Sequence, residues 1–157
     1  MTILIRTEDE VRDSAKILLG FDKIEKDIKQ GTGQITTFNQ LGFKGNNNKP
    51  DGWYLPANKT LPAIILETKS ENEDISLQKW VDELNKNCNI VLTKYEHVVG
   101  ILYNGIDIRV FKDNVEVNGL SDILQDKSYY IELFTKNTID KQKIYNLTKR
   151  NYVANTG

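Results

Sequence analysis

Apolar positions recur along the chain with two different periods. Val11, Ala15, Leu18 and Leu19 fall at helical spacing after Thr7-Glu8-Asp9-Glu10. That tetrapeptide matches a capping box, in which Thr7 and Glu10 satisfy free backbone N–H groups reciprocally. Gly20 is placed to end the helix. Ile24 and Ile28, four apart in a charged stretch, predict a surface helix over residues 22–30, broken by Gly31-Thr32-Gly33. Residues 34–49 are polar with scattered Phe38, Leu41 and Phe43, and read as loop.

Strands follow. One is expected from Asp51 to Leu55 and another from Ala63 to Lys69. The first half of the second is apolar at every position, which requires both faces of the strand to be covered. Leu77, Trp80, Val81 and Leu84 stand at i, i+3, i+4 and i+7, predicting a helix over 72–87 with one buried stripe. Strands are expected at Ile90-Val91-Leu92, from Val98 to Tyr103, and from Ile106 to Phe111. Asn104-Gly105 between the last two is a hairpin signal with positive φ at both residues. A short strand at 115–117, one near 129–134 and a helix from about 138 to 150 complete the reading. The sum is an α/β fold: a mixed central sheet of roughly five strands flanked by helices.

One pair of strand ends concentrates chemistry. Pro50-Asp51 opens one strand and Glu67-Thr68-Lys69 closes the next. Residues i and i+2 of a strand point to one face, so Glu67 and Lys69 share a face. The connection through Pro56-Ala57-Asn58-Lys59-Thr60 is short, so Asp51 and Glu67 can meet at one edge of the sheet. Two carboxylates and the Thr68 carbonyl make a sparse oxygen site of the kind Mg²⁺ accepts. A cation there would neutralise phosphate charge and acidify water. Lys69 would hold the attacking water and offset charge in the transition state.

Pro50-Asp51, fifteen intervening residues, then Glu67-Thr68-Lys69 resembles the signature of the PD-(D/E)xK nuclease superfamily. The wider runs Lys49-Pro-Asp-Gly-Trp-Tyr-Leu-Pro and Ile65-Leu-Glu-Thr-Lys-Ser are similar to the N-terminal endonuclease domains of bacterial restriction–modification enzymes. These include single-chain nuclease–methyltransferase fusions and type I motor subunits. The resemblance runs from about Thr7 to Arg150. It implies a restriction-endonuclease-like αβββαβ core, with Asp51, Glu67 and the Thr68 carbonyl on Mg²⁺, or Mn²⁺ in its place, and Lys69 at the water. It further implies a glutamine on the following helix, matched by Gln78, although the tyrosine of the usual Q-x-x-x-Y is Asp82 here. An acid on the first helix that assists the metal is matched best by Glu10, whose competing role is the capping box.

Composition narrows the setting. The formal net charge of −1 argues against a free-standing nucleic-acid binder, since affinity for DNA comes mostly from neutralising phosphates. From Lys136 onward there are five basic residues and one acid, Asp140. Cys88 is the only cysteine, so no disulfide framework forms. No signal peptide or membrane-length apolar run is seen, and a cytoplasmic location is expected. His97 is the only histidine, which excludes multi-histidine metal sites. Trp53, Tyr54 and Trp80 are expected in core or half-buried roles.

The expectation is therefore a single nuclease domain over 1–157, the N-terminal part of a longer protein. It would cut double-stranded DNA with a fused or partner methyltransferase, helicase or specificity module. The alternatives are a stand-alone repair or resolvase-type nuclease, and a catalytically dead DNA- or protein-interaction module of the same fold.

Overall fold

A computed structural model describes residues 4–135. The first helix, α1, spans Glu8–Leu19, and its capping box forms as the sequence requires. The Thr7 hydroxyl accepts from the Glu10 N–H at 3.2 Å, and the Glu10 carboxylate accepts from the Thr7 N–H at 3.3 Å. Gly20 closes the helix with φ of 80°. The strands β1 (Ile28–Thr32), β2 (Gly52–Pro56) and β3 (Ala63–Thr68) come next. Helix α2 spans Gln78–Leu92, followed by β4 (Val98–Tyr103), β5 (Ile108–Lys112) and β6 (Val115–Glu116).

The six strands lie in chain order in one mixed sheet. β1, β2 and β3 form an antiparallel meander, β3 and β4 are parallel, and β4, β5 and β6 are antiparallel again. Helix α2 makes the crossover that a parallel pair needs. β3 is buried at every position, as its apolar run requires. Its alternate residues Ala63 and Ile65 pack with Trp53, Leu84, Cys88, Val91, Val98 and Leu102 beneath α2. Phe38, Leu41 and Phe43 from the long loop join this core. α1 lies against β1 and β3 and buries Val11, Ala15 and Leu19.

Several local expectations are corrected by longer-range partners. Residues 28–32 form the edge strand β1, where a surface helix over 22–30 was expected, because they pair along the whole of β2. Gly31 is a close-approach residue within that strand: a Cβ there would sit 2.9 Å from the Trp53 ring. Helix α2 starts later than expected because carbonyls ahead of it are already engaged. Glu73 O accepts from the Asn104 amide at 2.9 Å, and Ile75 O accepts from Arg109 at 3.0 Å. It also ends later. Val81, Leu84, Cys88 and Val91 continue one buried stripe, so the Ile90-Val91-Leu92 segment expected as a strand is the last helical turn.

At Asn104-Gly105 only the glycine has positive φ, and the Asn104 side chain accepts from the Ile106 and Asp107 N–H groups. The two-residue turn with positive φ at both positions is Asp113-Asn114, between β5 and β6.

The chain divides into two compact units, Met1–Lys127 and Ser128–Gly157. Residues 127–135 are helical, where a strand near 129–134 was expected. Lys127, Tyr130 and Phe134 are the buried positions there, a helical period rather than an alternating one. The basic stretch from Lys136 and the helix expected at 138–150 lie outside the described residues. No helix among the described residues is long and apolar enough to cross a membrane.

Candidate active site

The antiparallel pairing of β2 with β3 sets Gly52 opposite Leu66. One further step along that register sets Asp51 opposite Glu67, and a second sets Pro50 opposite Thr68. Proline has no N–H to give to the ladder. The ladder stops there, and Asp51 Oδ2 accepts from the Thr68 N–H at 2.8 Å and from the Thr68 hydroxyl at 3.3 Å. The Thr68 carbonyl lies on the same edge of β3 as that N–H and faces the donor-less proline. Gly52 keeps the two strand ends close, since a Cβ there would lie 2.9 Å from a Leu66 methyl.

Glu67 is only 2 % exposed, and its Oε1 accepts a hydrogen bond from the Asn87 amide. Burial pushes its carboxyl well above the ordinary glutamate range. Neighbouring Asp51 pushes it further, Glu83 adds a little, and the Asn87 bond opposes them. Lys69 shares this side of the sheet. Its ammonium is 3.3 Å from a Glu83 oxygen and 3.9 Å from the centre of the Trp80 ring. Trp80, Glu83 and Asn87 stand at i, i+3 and i+7, so one face of α2 serves both Glu67 and Lys69.

Helix α1 reaches the same cluster from its first turns. Arg12 is buried, pairs with Asp9, and brings Nη1 to 3.9 Å from Asp51 Oδ1. That Nη1 is buried and makes no hydrogen bond. Glu8, one turn earlier, has its carboxyl raised by partial burial and by Asp51, with Lys69 and Arg12 pulling it back. Glu8, Arg12, Asp51, Glu67, Lys69 and Glu83 thus form one electrostatic unit.

Of the residues singled out from sequence, Asp51, Glu67, Thr68 and Lys69 are brought together. Glu10 and Gln78 are not. Glu10 is spent on the capping box and exposed. Gln78 is exposed at the first residue of α2 and donates to Asp82 at 2.9 Å. It lies nine residues from Asn87, about 13 Å along the helix. Asn87 is the α2 amide that reaches the acids, and Glu8 is the α1 acid that does so. Sequence reasoning missed both, along with Arg12 and Glu83. The available signal was a polar residue, Asn87, beside Cys88 on an otherwise apolar stripe. His97 lies just before β4, with Nδ1 2.7 Å from Asp113. Trp53 and Tyr54 are buried, whereas Trp80 is half-buried beneath Lys69.

The donor set can be weighed against a metal. Among the described residues, no group of three or more His, Cys, Asp or Glu side chains is placed to hold an ion. Mg²⁺ does not need such a cage, since it keeps several waters and takes one or two carboxylates. Asp51, Glu67 and the Thr68 carbonyl are all hard oxygen donors. The conflict between the two neighbouring carboxylates, one of them buried, is what a divalent cation would relieve. The residues present fit the ion. No family profile matches this chain, and no curated protein or solved structure matches it at a significant level, so the functional reading rests on the site itself.

Proposed function

We propose that this chain is the endonuclease domain of a restriction–modification system, hydrolysing DNA phosphodiester bonds with a divalent cation. The observation that carries the reading is the apposition of Asp51 and buried Glu67 at adjacent strand ends, with Lys69 on the same face. The order α1, β1, β2, β3, α2, β4, with the acids at the ends of β2 and β3, supports a restriction-endonuclease-like core.

Held by Asp51, Glu67 and the Thr68 carbonyl, Mg²⁺ or Mn²⁺ would supply positive charge at the scissile phosphate and acidify water. The protein's own groups do the rest. The Thr68 N–H and the Asn87 amide fix the two carboxylates. Lys69, aimed by Glu83 and the Trp80 ring, holds the attacking water and stabilises charge gathering on the phosphate. Buried Arg12, its Nη1 3.9 Å from Asp51 Oδ1, keeps a positive charge behind that carboxylate. None of these groups reads a base, so selection of a sequence falls to a fused or partner methyltransferase, helicase or specificity module.

Supercoiled plasmid is the direct test, together with Mn²⁺ titration of the protein. Metal-dependent nicking and Mn²⁺ binding are expected for the wild type. Both should be lost in Asp51→Ala, and nicking in Lys69→Ala. Nicking that survives EDTA, or a wild type that neither nicks nor binds Mn²⁺, sinks the proposal. A catalytically silent interaction module is the competing reading. It is favoured by the Lys69–Glu83 and Arg12–Asp51 pairs, which partly balance the acids without any cation.

A further inference from the structure

The opposite end of the sheet holds a cavity of about 430 Å³ at the close of β2 and the start of β1. It is separated from Asp51 by the length of β2, about 16 Å. The floor is apolar and aromatic, built from buried Leu55, Phe43 and Tyr95, the two rings 6.3 Å apart. Three exposed lysines, Lys29, Lys59 and Lys94, stand around the rim against one acid, Asp27. Lys59 sits 5.4 Å from the Tyr95 ring centre and Lys94 5.8 Å from that of Phe43. Among the described residues, no carboxylate lies within ion-pair distance of these three ammoniums.

Lys94 donates to the Gly42 carbonyl, but none of the three cations has a carboxylate partner among the described residues. Cations of one sign around an apolar concavity select a ligand with two halves. One half must be flat and apolar enough to cover the aromatic floor. The other must carry several negative charges, because a single carboxylate would leave two lysines repelling each other across the rim. The volume falls in the ordinary range for a small organic ligand or cofactor.

We propose that this pocket binds a free nucleoside diphosphate, its base against the Phe43–Tyr95 floor and its phosphates among Lys29, Lys59 and Lys94. The site is independent of the acidic cluster and does not require the nuclease reading. The nucleotide touches cationic groups from β1, the β2–β3 connection and the segment after α2 at once. Binding therefore adds a bridge across three segments already joined by the Glu96 N–H to Lys59 O and Ala57 N–H to Asp27 O bonds.

Calorimetric titration of the whole chain with ADP in EDTA tests this. ADP should bind saturably with Kd below about 1 mM, and adenosine and pyrophosphate should each bind about tenfold more weakly or worse. The Lys29→Ala/Lys59→Ala/Lys94→Ala protein should lose about tenfold or more in ADP affinity. Its melting temperature checks that it is folded. Lys29→Glu alone, on the exposed edge strand, should weaken ADP several-fold. Four outcomes overturn the proposal: no saturation with ADP at millimolar concentration, unchanged affinity in the triple variant, loss of ADP binding in Asp51→Ala, or tighter binding of 5′-phosphorylated oligothymidylate than of ADP. The third would put the nucleotide at the acidic end, and the fourth would make the pocket a strand-end site.

Discussion

The two ends of one sheet carry charge in opposite ways. At the Asp51–Glu67 end, acids and bases are mixed and partly or wholly buried, and most are held by a named partner: Thr68, Asn87, Glu83 or Asp9. At the other end, three lysines of one sign stand exposed around an aromatic floor with no carboxylate among the described residues to hold them. Burial converts charge into fixed geometry and shifted acidity, as in Glu67. Exposure without a carboxylate partner leaves charge available to a ligand, even where a carbonyl holds the ammonium, as Gly42 O holds Lys94. A formal net charge of −1 averages over both and reveals neither.

The sharpest way to break this contrast is at the acidic end. Asp51→Ala, Glu67→Gln and Lys69→Ala should each slow metal-dependent nicking by about 10³-fold or more, the scale of losing an electrostatic group at a reacting centre. Rates within a fewfold of wild type for all three would reduce the cluster to a structural ion network.

Next in size is the support beneath Glu67. Asn87→Leu removes the amide that donates to the buried carboxylate. Chemical denaturation should show a loss of about 1–3 kcal/mol at pH 8, where the ionised form most needs its donor. The loss should shrink at pH 5, where the raised pKa keeps more Glu67 protonated. An equal loss at both pH values would mean that Asn87 matters only as packing.

What the sequence disclosed follows from how far each signal had to reach. The capping box of α1 is contained in four residues, and it forms as read. The centrality of β3 is written in its unbroken apolar run. The meeting of Asp51 with Glu67 needed only a short connection and an antiparallel register. Residues 28–32 carried a faint helical period, and only their pairing with β2 makes them a strand. The start of α2 depended on Asn104 and Arg109, some thirty residues downstream. Glu10 was the acid on α1 singled out from sequence, but Glu8 is the one that faces Asp51. The capping box commits Glu10 to Thr7 instead. Gln78 lost to Asn87 for a similar reason, since the helix starts at Gln78 and the buried acid lies over two turns later.

Titration sharpens the contrast more gently. A carboxyl whose folded pKa is raised contributes stability that is fully present below the unfolded pKa, 4.5 for glutamate. That contribution is lost as pH rises through the folded value. Glu67→Gln does not titrate, and its amide oxygen can still accept from Asn87. Without metal it should match wild type at pH 4 and exceed it by about 1–2 kcal/mol at pH 8. Mn²⁺ should raise the melting temperature of wild type at pH 8 and leave Glu67→Gln nearly unmoved, because a cation that binds only the folded state stabilises it. A variant less stable than wild type at pH 8 without metal would show that the buried carboxylate is compensated by some other group.

The smallest expected effect compares the same interaction at the two ends. Lys69 lies 3.9 Å from the Trp80 ring centre and is only 9 % exposed; Lys59 lies 5.4 Å from that of Tyr95 and is exposed. A cation over a ring gains more when water is excluded, about 2 kcal/mol against about 0.5 at an exposed site. Lys69 also balances Glu83 and moderates Glu8, so Lys69→Ala leaves several acids facing one another. In urea melts at low salt, Lys69→Ala should cost about 1–2 kcal/mol and Lys59→Ala about 0.5 or less. One molar NaCl screens exposed charges over a few ångströms and buried ones much less. The Lys59→Ala effect should therefore vanish in high salt while most of the Lys69→Ala effect remains. Equal costs with equal salt dependence would mean that water reaches Lys69 as freely as it reaches the lysine rim.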